Sequence, residues 1–228
     1  MAVVVPSRAR RILRAVVVAA TLTVPVAVLA YLVRAQSGPV VDLDHSAVRA
    51  GTDLTREQPV VRVVLLTWQT AFQARWVNLA VTILCLWVWR RHALRTRALW
   101  AFVTLMLTWG LNLVVKTGVQ RARPVVDEAV AHAPGFSFPS GHAMNTAAAG
   151  IVVTALVWPL LGPRARAVVP LVAGLLVVLT GLDRVLLGVH YPSDVVAGVV
   201  LGCAAAGGSY LGYVGWSPVH PTELPTET

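Results

Sequence analysis

Apolar runs long enough to cross a membrane recur along this chain, and arginines fence them off from one another. About 18 or more apolar residues are needed for a helix to cross the hydrocarbon core of a bilayer. By apolar length the sequence predicts six spans, near residues 12–33, 75–90, 98–116, 142–161, 167–187 and 194–214. The stretch 60–74 is also apolar, but it carries Arg62, Gln69 and Gln73 and is followed by Arg75. It reads as an interfacial helix leading into the second span. The expected fold is all-α, a six-span transmembrane helical bundle. Hydrophobic residues make up 57 % of the 228 and charged residues 13 %, with a mean hydropathy of +0.70. That balance excludes a soluble globular domain.

The expected organisation is an N-terminal span and extracytoplasmic loop over 1–59, a helical core over 60–215 and a disordered tail over 216–228. The tail holds prolines and glutamates with no apolar period. The net charge of +9 does not point to a nucleic-acid partner. The arginines cluster between apolar runs, and aromatic residues are not interleaved with them as in a base-stacking groove. The expected partners are membrane lipids, and oligomeric state stays open. Cys85 and Cys203 both fall inside apolar runs and act as packing residues, with no disulfide framework implied. In the last run, Gly198 and Gly202, then Gly208 and Gly212, stand four apart. Such spacing lets helices approach closely, here within the chain rather than between copies.

Orientation follows from compact arginine clusters in short loops. Arg8, Arg10, Arg11 and Arg14 precede the first span, Arg90, Arg91, Arg95 and Arg97 separate the second and third, and Arg164 and Arg166 separate the fourth and fifth. These put both termini in the cytoplasm and the intervening odd-numbered loops outside a cytoplasmic (plasma) membrane. The first run also fits a cleavable signal peptide with a small-residue site at Val28-Leu29-Ala30; cleavage would leave five spans and the same sidedness for the rest.

Three short segments next to these runs carry the chemistry. The first holds Lys116, the chain's single lysine, then Arg123-Pro124 seven residues on. On a continuing helix both cations would face the same way, until Pro124 redirects the chain. Taken alone they also fit two cations snorkelling at an interface. The second is Pro139-Ser140-Gly141-His142, where a loop becomes the fourth span. Ser140 suits an N-cap, Gly141 permits close backbone approach, and the first-turn amides with the helix dipole favour a bound phosphate. His142 points to the same place and becomes a candidate acid. The third runs from Arg184 through His190 to Asp194. Pro192 suits a helix start, so Asp194 lies in a first turn and can reach back to His190. A carboxylate holding one ring nitrogen leaves the other free to attack phosphorus. Asp194 could also serve only to stabilise the helix N-terminus. No acid or histidine spacing suggests a metal cage, so neither metal nor cofactor is expected.

Together the segments resemble the phosphatidic acid phosphatase type 2 superfamily, which also includes vanadium haloperoxidases and bacterial acid phosphatases. The pattern is Lys, six residues, Arg-Pro; Pro-Ser-Gly-His; and Ser-Arg, five residues, His, three residues, Asp. The resemblance covers roughly residues 60 to 212. One position departs from it: Asp183 stands where the family has serine before Arg184. A carboxylate facing phosphate would repel it, so Asp183 is expected to point away and pair elsewhere.

The resemblance implies a membrane lipid phosphatase with an outward-facing site and a two-step mechanism. His190 attacks phosphorus to give a phosphohistidine, Asp194 orients it, and His142 protonates the leaving oxygen and then helps activate water. Lys116, Arg123, Arg184 and the Ser140 and Gly141 amides hold the phosphoryl oxygens. Phosphatidic acid, phosphatidylglycerol phosphate and polyprenyl phosphates or diphosphates are candidate substrates. The same residues would serve a lipid head-group phosphotransferase. A non-enzymatic lipid or anion transporter is the rival of another class, separated by whether phosphate is released.

Overall fold

The computed structural model describes residues 8–126 and 130–213; the expected disordered tail lies outside them. The described residues form eight α-helices: α1 (Arg8–Arg34), α2 (Gly38–Glu57), α3 (Pro59–Ala71), α4 (Ala74–Arg91), α5 (Arg95–Val119), α6 (Gly141–Val157), α7 (Pro163–Leu186) and α8 (Pro192–Tyr213). A 3-10 turn at Trp158–Leu160 extends α6. Helices α1, α5, α6, α7 and α8 are each long and apolar enough to cross a membrane. Helices α3 and α4 qualify together, bent by 52° at their junction, which brings the total to six if the pair is one span. The interfacial helix expected over 60–74 is α3, and the bend falls where Phe72 closes its last turn and stacks on Trp68.

The outer faces of the bundle are apolar. Leu107, Val114, Leu171 and Tyr31 point outward, while Thr104, Thr108 and Asn112 of α5 are buried. Lipid solvates the first set, and the second must find partners among neighbouring helices. Thr104 does so by meeting Ser209 of α8 at 2.9 Å. The helix ends are sorted by charge. Arg97 donates to Ala155 O and lies over Tyr213, and Arg166 lies over Trp158, all at one end. Arg34 donates to Gly118 O at the other, where the three motif segments also lie.

Helix α6 is central, packed against α4, α5, α7 and α8. Its alanines, Ala143, Ala147, Ala148 and Ala149, are buried and let its neighbours come close. The glycines of α8 complete this fit. A Cβ on Gly198 would stand 2.6 Å from Ser140 O, and one on Gly202 would collide with Met144 O. Gly208 faces Ala15 and Ala19 of α1. The small-residue stripe therefore packs helices within the chain, as expected.

One element differs from expectation. Residues 38–57 were expected to be loop, yet they form α2, opened by Gly38-Pro39 and lying against α7 and α8. Its buried residues, Asp44, Val48, Gly51, Thr52 and Thr55, recur at helical spacing on one face. Asp42, Asp53 and the arginines on its other face hide that period from a search for long apolar runs.

Gly202→Ala should therefore destabilise the bundle by about 1–3 kcal/mol, the usual range for overpacking. Gly207→Ala, with nothing within 4 Å of the added carbon, should leave the melting temperature unchanged or raise it. Thermal unfolding of both variants in detergent distinguishes these outcomes; equal melting temperatures would contradict the packing described.

Candidate active site

Helix α5 ends at Val119, five residues before Pro124. Gln120 adopts a left-handed conformation, φ 54°, and its amide closes the helix on Lys116 O. Lys116 thus occupies the last turn of α5, and Arg123 lies in the extended segment beyond it. The continuing helix expected to align them is absent, and a different device brings them together. Both grip the carbonyls of the loop before α6. Lys116 Nζ donates to Phe136 O at 2.6 Å. Arg123 donates from Nε to Gly135 O at 3.1 Å and from Nη2 to Pro134 O at 3.0 Å.

The third segment closes around the same point. Gly188, at φ +70°, turns the chain out of α7, and Pro192 opens α8 as expected. His190 Nε2 lies 3.1 Å from Arg123 Nη1, which also donates to Val189 O at 2.7 Å. A guanidinium can only donate, so Nε2 is the acceptor and the proton belongs on Nδ1. His190 Nδ1 faces Asp194 Oδ2 at 3.4 Å, long for a hydrogen bond but within ion-pair distance. The arrangement leaves an imidazole lone pair directed at Arg123, with a carboxylate behind it.

Asp194 is fully buried and held on every side. Its Oδ1 accepts from Arg121 Nη1 at 2.7 Å, and its Oδ2 accepts from the Ser137 hydroxyl and from the Tyr191 amide at 2.9 Å. Arg121 is a residue that the motif reading passed over. It bridges Asp194 to Asp44 of α2, also at 2.7 Å, and lies 4.0 Å above the Tyr191 ring. Asp44 in turn accepts from the Ser193 amide at 3.0 Å and from the Ser193 hydroxyl. It therefore caps the first turn of α8 from a different helix, satisfying an amide that helix geometry leaves unpaired. No local pattern could have announced this: Asp44 and Ser193 are 149 residues apart. The available hint was a second arginine inside the first motif.

At the start of α6, Ser140 occupies the N-cap position, as expected, without a side-chain cap bond. Its amide donates to Asp194 O at 2.9 Å, which ties the starts of α6 and α8 together. A phosphate at this helix start would therefore meet the amides of Gly141 and His142 rather than that of Ser140. The Ser140 hydroxyl is buried without a partner among the described residues. Gly141 packs against Asn112, whose Oδ1 would stand 3.0 Å from an added Cβ. His142 Nε2 lies 3.3 Å from Gln69 O, at the end of α3.

Gln69 also reaches the last cation. Its Oε1 accepts from Arg184 Nη2 at 3.2 Å. Asp183, expected to pair elsewhere, instead pairs with Arg184 itself. Its Oδ2 accepts from Arg184 Nε at 2.8 Å and from Nη2. The two side chains are neighbours at the end of α7, and both are buried, so the carboxylate takes the nearest available cation. Arg184 Nη1 keeps no partner among the described residues.

Burial pushes the His190 imidazole down to about 4, and the hydrogen bond and charge of Asp194 only partly oppose that fall. A histidine lowered in this way is neutral above that pH and charged below it, so its Nε2 lone pair is present throughout the neutral range. Nitrogen-15 NMR of histidine-labelled protein should show this ring titrating near pH 4. A titration near the ordinary value of about 6.5 would mean that water solvates the ring.

Comparison with known proteins points to one family. The profile of the PAP2 superfamily matches residues 97–217. The fold superposes on a solved transmembrane PAP2 type phosphatidylglycerolphosphate phosphatase from Bacillus subtilis with a TM-score of 0.76 and 25 % identity, over 88 % of this chain and 98 % of that one. Phosphatidylglycerophosphatase B of Bacillus subtilis is 38 % identical over 113 residues, 46 % of this chain and 55 % of the relative. Decaprenylphosphoryl-5-phosphoribose phosphatase of Mycobacterium tuberculosis is 39 % identical over 95 residues, 40 % of this chain and 48 % of the relative. The matched stretch thus spans about half the length of these two curated relatives. The profile match over 97–217 includes Lys116, Arg123, Ser140, His142, Arg184, His190 and Asp194, and with the superposed bundle it makes this chain an integral membrane member of the PAP2 superfamily.

Proposed function

We propose that the chain is a membrane lipid phosphatase that works through a phosphohistidine on His190. The observation that carries this reading is the His190 Nε2 lone pair, backed by Asp194 and facing Arg123, at the end of a lipid-embedded bundle. Arg123 covers that nitrogen, and loop carbonyls hold Lys116 and Arg123. A lipid phosphate outcompetes these neutral acceptors, because charge-assisted bonds to phosphate are stronger. Drawing Arg123 onto the phosphoryl oxygens uncovers Nε2.

Nε2 then attacks phosphorus. The N–P bond forms as the P–O bond to the lipid breaks, and His142, entering the step as an imidazolium that the substrate's negative charge stabilises, donates its proton to the departing oxygen and is left neutral. The Nδ1 proton stays with His190, where Asp194 offsets the positive charge that develops on the ring. In the second step His142 takes a proton from water as the water oxygen attacks phosphorus. The N–P bond breaks, inorganic phosphate leaves, and both histidines return to their starting states. Lys116, Arg123, Arg184 Nη1, the Gly141 amide and the Ser140 hydroxyl stabilise the charge on the phosphoryl oxygens. These groups supply the positive field that a divalent ion provides in metal-dependent phosphatases, so no metal or other cofactor is needed.

The substrates proposed are phosphatidylglycerol phosphate, phosphatidic acid and polyprenyl phosphates or diphosphates. The names of the relatives, which include a phosphatidylglycerophosphatase and a polyprenyl-linked phosphatase, support that range. Phosphate release from purified lipid phosphates should persist in excess EDTA. His190→Ala should abolish it, and His142→Ala should slow it by about 10² to 10⁴. Release undiminished in His190→Ala, or lost in EDTA and restored by magnesium, would contradict the mechanism.

Counting α3 and α4 as one bent span, six spans put both termini on the cytoplasmic side and the site outside. The basic clusters at the opposite end support that orientation. Val125 is 94 % exposed beside the site, whereas Cys85 is buried within a span. A cysteine placed at Val125, with Cys203 replaced by alanine, should react with a membrane-impermeant maleimide in intact cells. Labelling only after permeabilisation would reverse the topology.

A further inference from the structure

Asp183 is the one departure from the family's third motif, and it sits within the site, bonded to a phosphate-facing cation. Asp183 and Arg184 are only 1 % and 2 % exposed. A free guanidinium offers phosphate two parallel donors. Here the edge formed by Nε and Nη2 is closed by Asp183 Oδ2, and Gln69 Oε1 takes a further Nη2 hydrogen. Arg184 is left with Nη1 alone, a single-point contact. Asp183 also cancels the Arg184 charge locally. Arg121 adds no positive charge toward the ligand, since Asp44 and Asp194 both pair with it, and the one negative charge left on the three faces the His190 ring through Asp194. Lys116 and Arg123 are therefore the cations whose charge is left to the ligand.

We propose that Asp183 is a specificity-determining residue, fitting this site to lipid phosphate monoesters and disfavouring lipid diphosphates. The inference rests on the phosphatase reading above and narrows its substrate class. A phosphate monoester carries about two negative charges near neutral pH. Two uncompensated cations match it. A diphosphate brings a further charge and a second set of phosphoryl oxygens. The donors that would hold them, the Nε and Nη2 edge of Arg184, are already bonded to Asp183. The Asp183 carboxylate repels the added charge as well. The serine of the family pattern would free that edge and remove the repulsion.

The test compares one polyprenyl chain carrying either a monophosphate or a diphosphate, so that the tail is constant. The ratio of kcat/KM for diphosphate over monophosphate is measured for wild type, Asp183→Asn and Asp183→Ser. Asparagine keeps an acceptor for Arg184 and removes only the charge; serine restores the family residue. Both should raise the ratio by about tenfold, the scale of one unit-charge interaction across about 10 Å at an effective dielectric near 20. A ratio within about twofold of wild type in both active variants, against that tenfold expectation, overturns the proposal. A second arm needs no substitution. Orthophosphate should inhibit wild-type monophosphate hydrolysis at least as tightly as pyrophosphate does, and tighter inhibition by pyrophosphate overturns the proposal. If wild type releases phosphate from neither lipid, it is the phosphatase reading itself that fails.

Discussion

The site hangs on one buried guanidinium. Arg121 holds Asp194 with one nitrogen and Asp44 with another, and its plane rests on Tyr191. Two carboxylates buried at this depth would repel each other and demand protons if nothing stood between them. Arg121 stands between them and offsets their charge, and each accepts several hydrogen bonds. Asp194 uses that capacity on Ser137 and Tyr191 and lies within ion-pair distance of His190; Asp44 uses it on both donors of Ser193. Removing one member of such a buried set typically costs about 3–5 kcal/mol, because the partner is left charged and unpaired. The network therefore fixes the starts of α6 and α8, the return loop that bears His190 and the seat of α2 against them.

That constraint explains why charged groups can gather at the end of an apolar bundle. The helices meet through alanine and glycine, with Gly198 against Ser140 O and Gly202 against Met144 O. Close backbone approach brings the N-termini of α6 and α8 side by side, which is what allows the Ser140 amide to donate to Asp194 O. Side chains larger than these would separate the two helix starts and with them His142 and His190. Packing in the membrane and geometry at its surface are thus one problem, solved by the same stripe of small residues.

The residue types that the proposed chemistry requires stand in the sequence at short spacing. The proposed phosphate cradle draws on Lys116, Arg123 and Arg184, and the proposed nucleophile is His190 with Asp194 four residues on at a helix start. The spans were legible because hydrocarbon requires long apolar runs, and even the bend between α3 and α4 was foreshadowed by Gln69 and Gln73. What escaped was long-range or disguised. Helix α2 has an apolar face too narrow to register as a run. Asp44 gains its meaning only from Arg121, 77 residues away. The alignment of Lys116 and Arg123 was expected from helical phase, yet it arises from neighbouring carbonyls of one loop, those of 136 and 137 for Lys116 and those of 134 and 135 for Arg123. Asp183 was expected to avoid the site on electrostatic grounds. The same electrostatics drew it to Arg184, its nearest cation, one residue along.

The proposed mechanism stands or falls on whether His190 becomes covalently phosphorylated. The direct measurement is rapid mixing of the detergent-solubilised enzyme with phosphorus-32-labelled lipid phosphate, an alkaline quench within the first turnovers, and mapping of the label by proteolysis. The account predicts label on the peptide carrying His190, stable in base and lost in acid, as expected for an N–P bond. Turnover with no label on that peptide, or an acid-stable label on another residue, would contradict it.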